Sequence, residues 1–176
     1  MMPENFTSNE LTGEPANMSI HILLLFTFVA VFLYDAIYKS SLASNVRAVT
    51  ILSFLLLTGY VFAMQKLGGF GYRAVNIHLG ALFGTNMAFN VWFRIWPAQQ
   101  KIITAIKNGE APDAALLGLA GLRSKHNTYM SVPLVWTMHN QHHVTAPTAL
   151  GIPGEFSWVL PMLMVCLLYT SDAADD

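Results

Sequence analysis

The chain has little cysteine and little charge, and each shortage excludes some classes of protein. The single cysteine, Cys166, excludes an internal disulfide and any cysteine-rich metal site. Charged residues make up 11% of the 176 residues and the net charge is -1, so composition gives no support to nucleic-acid binding. The sequence also lacks a glycine-rich phosphate loop, a nucleophile elbow, a CxxCH haem-attachment motif and a paired-carboxylate site.

What the chain has instead is apolar segments, since 54% of its residues are hydrophobic. About 20 consecutive apolar residues suffice for a helix to cross a bilayer. The sequence predicts an all-α, polytopic membrane helix bundle with about four to five transmembrane helices. The predicted segments are 18–38, 47–65, 74–96, 127–145 and 156–169. We expect Pro133 to kink the fourth segment, as neighbouring helices allow in a membrane.

The basic residues indicate how these segments are oriented. Seven Lys and Arg fall in the loop after the first segment and in the stretch from Arg94 to Lys125, against two between Lys66 and Arg73. The positive-inside rule therefore places the N-terminus, with its polar segment 1–17, outside.

The connection after Trp96 carries its own helix signals. Pro97 can begin a helix with an apolar isoleucine stripe, and Gly109 can end it. A second helix is predicted to open at Asp113 and run towards Arg123. We expect both to lie along the cytoplasmic interface.

The segment 74–96 is unusual because it combines membrane length with polar residues. Such groups are costly in hydrocarbon unless they face protein, water or a cofactor. Its polar residues are His78, Asn86, Asn90 and Arg94. Gly80, Gly84 and Ala88 have a spacing that lets another helix approach closely. Asn86 and Asn90 share one face, where they are expected to join helices by hydrogen bonds.

The histidines are predicted to gather at the outer side, except His126, which groups with Arg94 and Arg123 inside. Imidazole is a common ligand of haem iron, so a histidine of the third segment and one of the fourth are candidate haem ligands. The alternative is that outer histidines, such as His21 and His143, contact water or lipid headgroups. For Asp35 the simplest interpretation is an ion pair with Lys39, one turn along the helix. For Arg94 it is extension to the cytoplasmic interface.

Several blocks in order resemble a known family. They are LYDAIYKS, IHLGALFGTNMAFNVWFRIWPAQQK, NGEAPD and RSKHNTYMSVPLVWTMHNQH. These blocks, within about residues 30–145, are similar to the N-terminal integral membrane domain of the bacterial membrane-bound urate oxidases (urate hydroxylases). The resemblance implies a multi-pass protein of the bacterial inner membrane that oxidises urate towards 5-hydroxyisourate and passes electrons to cytochrome c, fused or separate. Its implied partners are membrane lipid, cytochrome c and urate.

The resemblance also marks individual residues. Positions that match the family pattern are His78, Asn90, Arg123, His126, Asn127, Pro133 and His142. Where relatives show a Ser-Asn-His ending, this chain has His139-Asn140-Gln141-His142, so His139 and His143 depart from the pattern. If a haem or another metal centre is bound, His78 and His142 are the expected ligands, and the catalytic residues are not identified.

Two departures concern the ends of the chain. Relatives have further membrane helices before the first segment, so the chain is expected to be a fragment, with its helix bundle at 18–165. Residues 166–176 interrupt the last segment and resemble translated adapter sequence, so we expect them to be foreign to the fold. Two other classes remain open beside the enzyme fragment: a non-enzymatic haem-binding electron-transfer module, and a membrane transporter or anchor domain.

Overall fold

The computed structural model describes residues 18–142 and, beyond them, residues 149–153, 156, 159–160 and 162–163. These described parts are helical or irregular and contain no strand. The prediction of an all-α fold is therefore confirmed for them. Residues 166–176 and most of the predicted fifth segment lie outside the described residues.

The first two helices agree closely with the predicted segments. Helix α1 spans Met18–Lys39 and helix α2 spans Val46–Lys66. A short 3-10 turn, Ser41–Ser44, joins them, and the Asn45 side chain caps α2 by accepting from the Ala48 N–H at 3.1 Å. At 1.5 Å per residue, each helix is about 30 Å long, which matches the hydrocarbon thickness of a bilayer.

Among the described residues, two helical stretches are long and apolar enough to cross a membrane: His21–Lys39 and Val46–Lys66. Their large apolar side chains, such as Phe28, Phe32 and Leu55, are exposed on the outside of the bundle. Such a surface suits lipid rather than water. The predicted total of four to five spans is not reached on this criterion, because the remaining helices carry more polar residues.

The third segment is longer than predicted. Helix α3 spans Tyr72–Asn90, and a π-helical turn, Val91–Ile95, leads without a break into α4, Trp96–Lys107. Pro97 lies in the first turn of α4, as expected. Helix α4 ends before Gly109, whose φ of +75° is readily adopted only by glycine.

The predicted division between a second interfacial helix and a membrane segment at 127–145 is wrong. A single helix, α5, spans Ala114–Asn140. Asp113 caps it by accepting from the Ala115 N–H at 2.8 Å. No glycine or proline interrupts the chain between Arg123 and Asn127, so nothing breaks the helix there. Pro133 lies inside α5, as predicted.

Helix α3 is the centre of the bundle and packs against α5, α1 and α2. The core around it contains Val61 and Met64 of α2, Leu79 and Phe83 of α3, and Met130 of α5. Gly80 permits a close approach to α5, because a Cβ atom at that position would lie 2.8 Å from the Thr137 hydroxyl. At Gly84 a Cβ atom would meet nothing within 4 Å. The predicted role of small residues is therefore supported at Gly80.

Candidate functional site

The most polar region inside the bundle is centred on one carboxylate. Asp35, near the end of α1, is only 7% exposed. Lys39 Nζ lies 2.9 Å from its Oδ2, Arg94 Nε donates to its Oδ1 at 2.9 Å, and Arg123 Nη2 donates to Oδ1 at 3.1 Å. We call Asp35, Lys39, Arg94 and Arg123 the charge cluster. It joins α1, the π turn and α5 through a single anion.

The sequence interpretation of these residues was incomplete. The expected pair between Asp35 and Lys39 is confirmed. Arg94, however, does not simply extend to the interface, because its guanidinium also binds both carboxylate oxygens of Asp35. The available signal was an acidic residue inside an apolar helix, which requires a partner. Lys39, one turn away, already provided a partner for Asp35. The sequence therefore gave no reason to look for the two arginines, which lie far away in sequence.

Arg123 is the most buried charge of the cluster, with 1% of its surface exposed. Its guanidinium lies over two tyrosine rings, 5.0 Å from the centroid of Tyr34 and 5.4 Å from that of Tyr38. Cation–π contacts of this kind are strongest when the cation is desolvated. Asp35 and the two rings therefore replace water around a charge that could not otherwise be buried.

A second set of hydrogen bonds continues from Arg123 through Asn90. Arg123 Nη1 donates to Asn90 Oδ1 at 3.5 Å. Asn90 Nδ2 in turn donates to Tyr34 Oη and to Asn127 Oδ1, both at 2.9 Å. Asn127 Nδ2 completes the link by donating to the Met87 carbonyl at 3.1 Å. The predicted role of Asn90 in joining helices is thus confirmed, and its partners lie on α1 and α5.

The chain of bonds ends at His126. Its Nδ1 lies 2.7 Å from Tyr34 Oη, and its ring lies 4.3 Å from the ring of Tyr38, centroid to centroid. Tyr34 already accepts from Asn90, so its own proton is available to donate to Nδ1. We call Tyr34, Asn90, His126 and Asn127 the polar network. Together with Arg123 it forms one connected unit across α1, α3 and α5.

The family-matched polar positions therefore converge. Asn90, Arg123, His126 and Asn127 are spread over two helices in sequence, yet all four belong to this unit. Tyr34 and Tyr38 complete it and were not identified from the sequence as site residues. The LYDAIYKS block contains both tyrosines. A single sequence, however, does not show that their rings contact the guanidinium of Arg123 on α5.

The two proposed haem ligands lie elsewhere. The contacts of Asn90 with Asn127 and of Gly80 with Thr137 show that α3 and α5 run antiparallel. His78, near the start of α3, and His142, just after the end of α5, therefore lie at the same end of this helix pair. His78 is 6% exposed, whereas His142 is exposed. The pairing of the two histidines on one metal stays a prediction.

His78 itself fits the role of a metal ligand. Its Nδ1 lies 2.8 Å from the Ala74 carbonyl, so Nδ1 carries the proton and donates it. Metal-binding histidines are commonly oriented in this way through the nitrogen that does not bind the metal. The ring also lies 5.4 Å from that of Phe70, edge to face. Among the described residues, no group of three or more His, Cys, Asp or Glu could hold a metal ion. His143 lies outside those residues.

The described residues form a helical bundle with a buried ion-pair network, and two of its helices are long and apolar enough to cross a membrane. The class is therefore an all-helical protein with a polar interior. Comparison with known families then identifies the family. The model of the urate oxidase N-terminal family matches residues 8–171, and the chain belongs to that family. No curated protein and no solved structure matches the chain.

Proposed function

We propose that this chain is part of a membrane-bound urate oxidase that converts urate to 5-hydroxyisourate and delivers the electrons to cytochrome c. In this reaction urate and one water yield 5-hydroxyisourate, two protons and two electrons. Two ferricytochrome c molecules accept one electron each. Membership of the urate oxidase N-terminal family, over nearly the whole chain, is the observation that carries the proposal.

The geometry adds support for an active polar interior. Burying Arg123 and Asp35 is expensive, and buried ion pairs often stabilise a protein less than apolar residues of the same size. Ionisable groups within a membrane segment are therefore functional candidates by default. We propose that the polar network serves the urate reaction, with Arg123 supplying the positive charge that an anionic purine requires.

We also propose that the protein is multi-pass in the bacterial inner membrane, with α3 and α5 crossing beside α1 and α2. Both helices hide polar groups within the bundle: Asn86 and Asn90 on α3, and Arg123 on α5, are buried. In contrast, Val132 and Val135 of α5 point outwards. This distribution suits helices that are surrounded by lipid and by other helices of the same domain.

A haem held by His78 and His142 is a further part of the proposal, and it favours electron transfer as the second candidate function. A bound haem would supply single-electron transfer. The supporting observation is the His78 ring, which is buried and oriented by the Ala74 carbonyl. Turnover of urate separates the two candidates.

The experiment uses membranes that contain the full-length protein, from a host without urate oxidase activity. Loss of urate and reduction of added ferricytochrome c are followed together. We expect two cytochromes reduced per urate, with activity lost in Arg123→Met and retained in Lys101→Met, which changes an exposed lysine of α4. Urate loss with hydrogen peroxide formed in place of reduced cytochrome would refute the proposed acceptor. A haem spectrum without urate loss would favour the electron-transfer module.

A further inference from the structure

A groove separate from the charge cluster lies between α1, α2 and α3. Its enclosed part has a volume of about 90 Å³, and all the empty space up to its open side amounts to about 640 Å³. On α1 its wall runs from Phe26 through Ala30 and Leu33 to Tyr38, and α2 contributes Leu56. Neither the ion pairs nor the proposed histidine ligands account for this space.

The wall of the groove is mostly apolar. Nine of its fourteen described residues are aliphatic, Phe or Met. Two of its tyrosines also use their hydroxyls outside the groove, since Tyr34 Oη bonds with Asn90 and His126, and Tyr60 Oη bonds with Thr27. These two tyrosines therefore contribute their rings to the wall. Such a surface favours an alkyl chain over a polar ligand.

The length of the groove matches one leaflet of a bilayer. From Phe26 to Tyr38 its wall follows α1 for about 18 Å, at 1.5 Å per residue. The hydrocarbon core of a bilayer is about 30 Å thick, so the acyl chains of one leaflet occupy about 15 Å. An acyl chain that lies along the groove would therefore fill it from end to end.

The open side of the groove lies between the two candidate membrane spans. Leu33 of α1 and Leu56 of α2 line it and are 41% and 40% exposed. The enclosed volume of about 90 Å³ is well below the roughly 300 Å³ of an ordinary ligand pocket, so a compact molecule would not be enclosed. A long, thin chain that enters sideways from the lipid phase fits this shape.

One end of the groove is positively charged. Its wall ends at Tyr38, directly before Lys39, whose side chain is 58% exposed. The charge cluster combines three cations with one carboxylate, which leaves a net charge of +2. Arg47, in the first turn of α2, is exposed at the same end of the α1–α2 hairpin. Between residues 18 and 66 Asp35 is the only acidic residue, so this end attracts an anion.

We propose that the groove binds an anionic phospholipid, with one acyl chain along α1 and the phosphate beside Lys39. The apolar wall accounts for the chain, and the excess positive charge accounts for the anionic head group. The lipid belongs to the leaflet at the Lys39 end of α1. The proposal concerns binding alone and does not depend on urate as a substrate.

The test counts the lipid that stays bound when the full-length protein passes from mixed micelles into native mass spectrometry. Dioleoylphosphatidylglycerol and dioleoylphosphatidylcholine are added in equal amounts, because they share their acyl chains and differ in head-group charge. We expect phosphatidylglycerol to be retained at least about fivefold over phosphatidylcholine, the factor expected of one basic residue beside an anionic lipid. Lys39→Gln should remove most of that preference. Lys66→Gln, which changes an exposed lysine at the other end of α2, should retain it.

A second pair of variants tests the groove itself. Ala30→Phe fills the groove from α1 and should abolish retention of the lipid. Val29→Phe adds a larger side chain at an exposed neighbour outside the groove and should not. Equal retention of the two lipids, or undiminished retention by a folded Ala30→Phe variant, would overturn the proposal. If Ala30→Phe does not fold, the lysine variants decide, and an equal preference in Lys39→Gln and Lys66→Gln would likewise overturn it.

Discussion

Asp35→Leu isolates the energetic role of the charge cluster. The substitution removes the one anion that Lys39, Arg94 and Arg123 share. Lys39 and Arg94 have side chains that are 58% and 23% exposed, so both can turn towards water. The Arg123 side chain is only 2% exposed and cannot. Its charge would remain buried against two tyrosine rings and an asparagine.

The expected loss of stability follows from that difference. Breaking a buried ion pair by removing one partner costs about 3–5 kcal/mol. Lys39→Met breaks an ion pair with the same carboxylate, but an exposed pair contributes at most about 1 kcal/mol. The double variant Asp35→Leu, Arg123→Met removes both buried charges and should recover most of the loss, since apolar replacements of a buried pair are often neutral.

The assay is reversible unfolding of the purified protein in mixed micelles, followed by circular dichroism. We expect the free energy of unfolding to fall in the order wild type, Lys39→Met, Asp35→Leu, with the double variant above Asp35→Leu. If Asp35→Leu loses no more stability than Lys39→Met, Arg123 does not depend on Asp35. If the double variant is less stable than Asp35→Leu, the cluster is not an electrostatic unit.

Three further predictions concern packing, orientation and the proposed haem. Gly80→Ala should destabilise the α3–α5 contact, because its Cβ would lie 2.8 Å from the Thr137 hydroxyl, whereas Gly84→Ala should be neutral or stabilising in thermal unfolding. In a Cys166→Ser background, a membrane-impermeant thiol reagent should label Leu67→Cys from outside and Ser41→Cys only from the cytoplasm; the reverse result refutes the orientation. In the full-length protein, His78→Ala or His142→Ala should abolish a haem Soret band, and an unchanged spectrum would reject these ligands.

Local features of the fold could be predicted because they depend on local sequence. The bounds of α1 and α2 follow from continuous apolar runs between polar residues, and the start and end of α4 follow from Pro97 and Gly109. The division within α5 was predicted wrongly because the segment around Arg123 is polar. In the bundle Arg123 is buried against Asp35 while Ser124 and Lys125 are exposed, and the helix continues through all three.

The partners of the polar residues could not be predicted, since they depend on the register between helices. Asn90 meets Asn127 within the antiparallel pair of α3 and α5, which also approach each other closely at Gly80 and Thr137. Asp35 meets Arg123 only because α1 also packs against α3. The resemblance marked Asn90, Arg123, His126 and Asn127 without indicating that they touch. Their contact is what the structure adds.

Helix α3 carries both proposed sites, and its length separates them. Asn90 lies in the polar network at one end and His78 lies near the other, about 18 Å away at 1.5 Å per residue. A side chain cannot span that distance, so one group of residues cannot both contact urate and ligate the haem. Substitutions in the network should therefore alter urate turnover while leaving a haem spectrum intact, whereas substitutions of His78 should remove the spectrum. Loss of the spectrum in a folded Asn90→Leu variant would show that the two ends do not act separately.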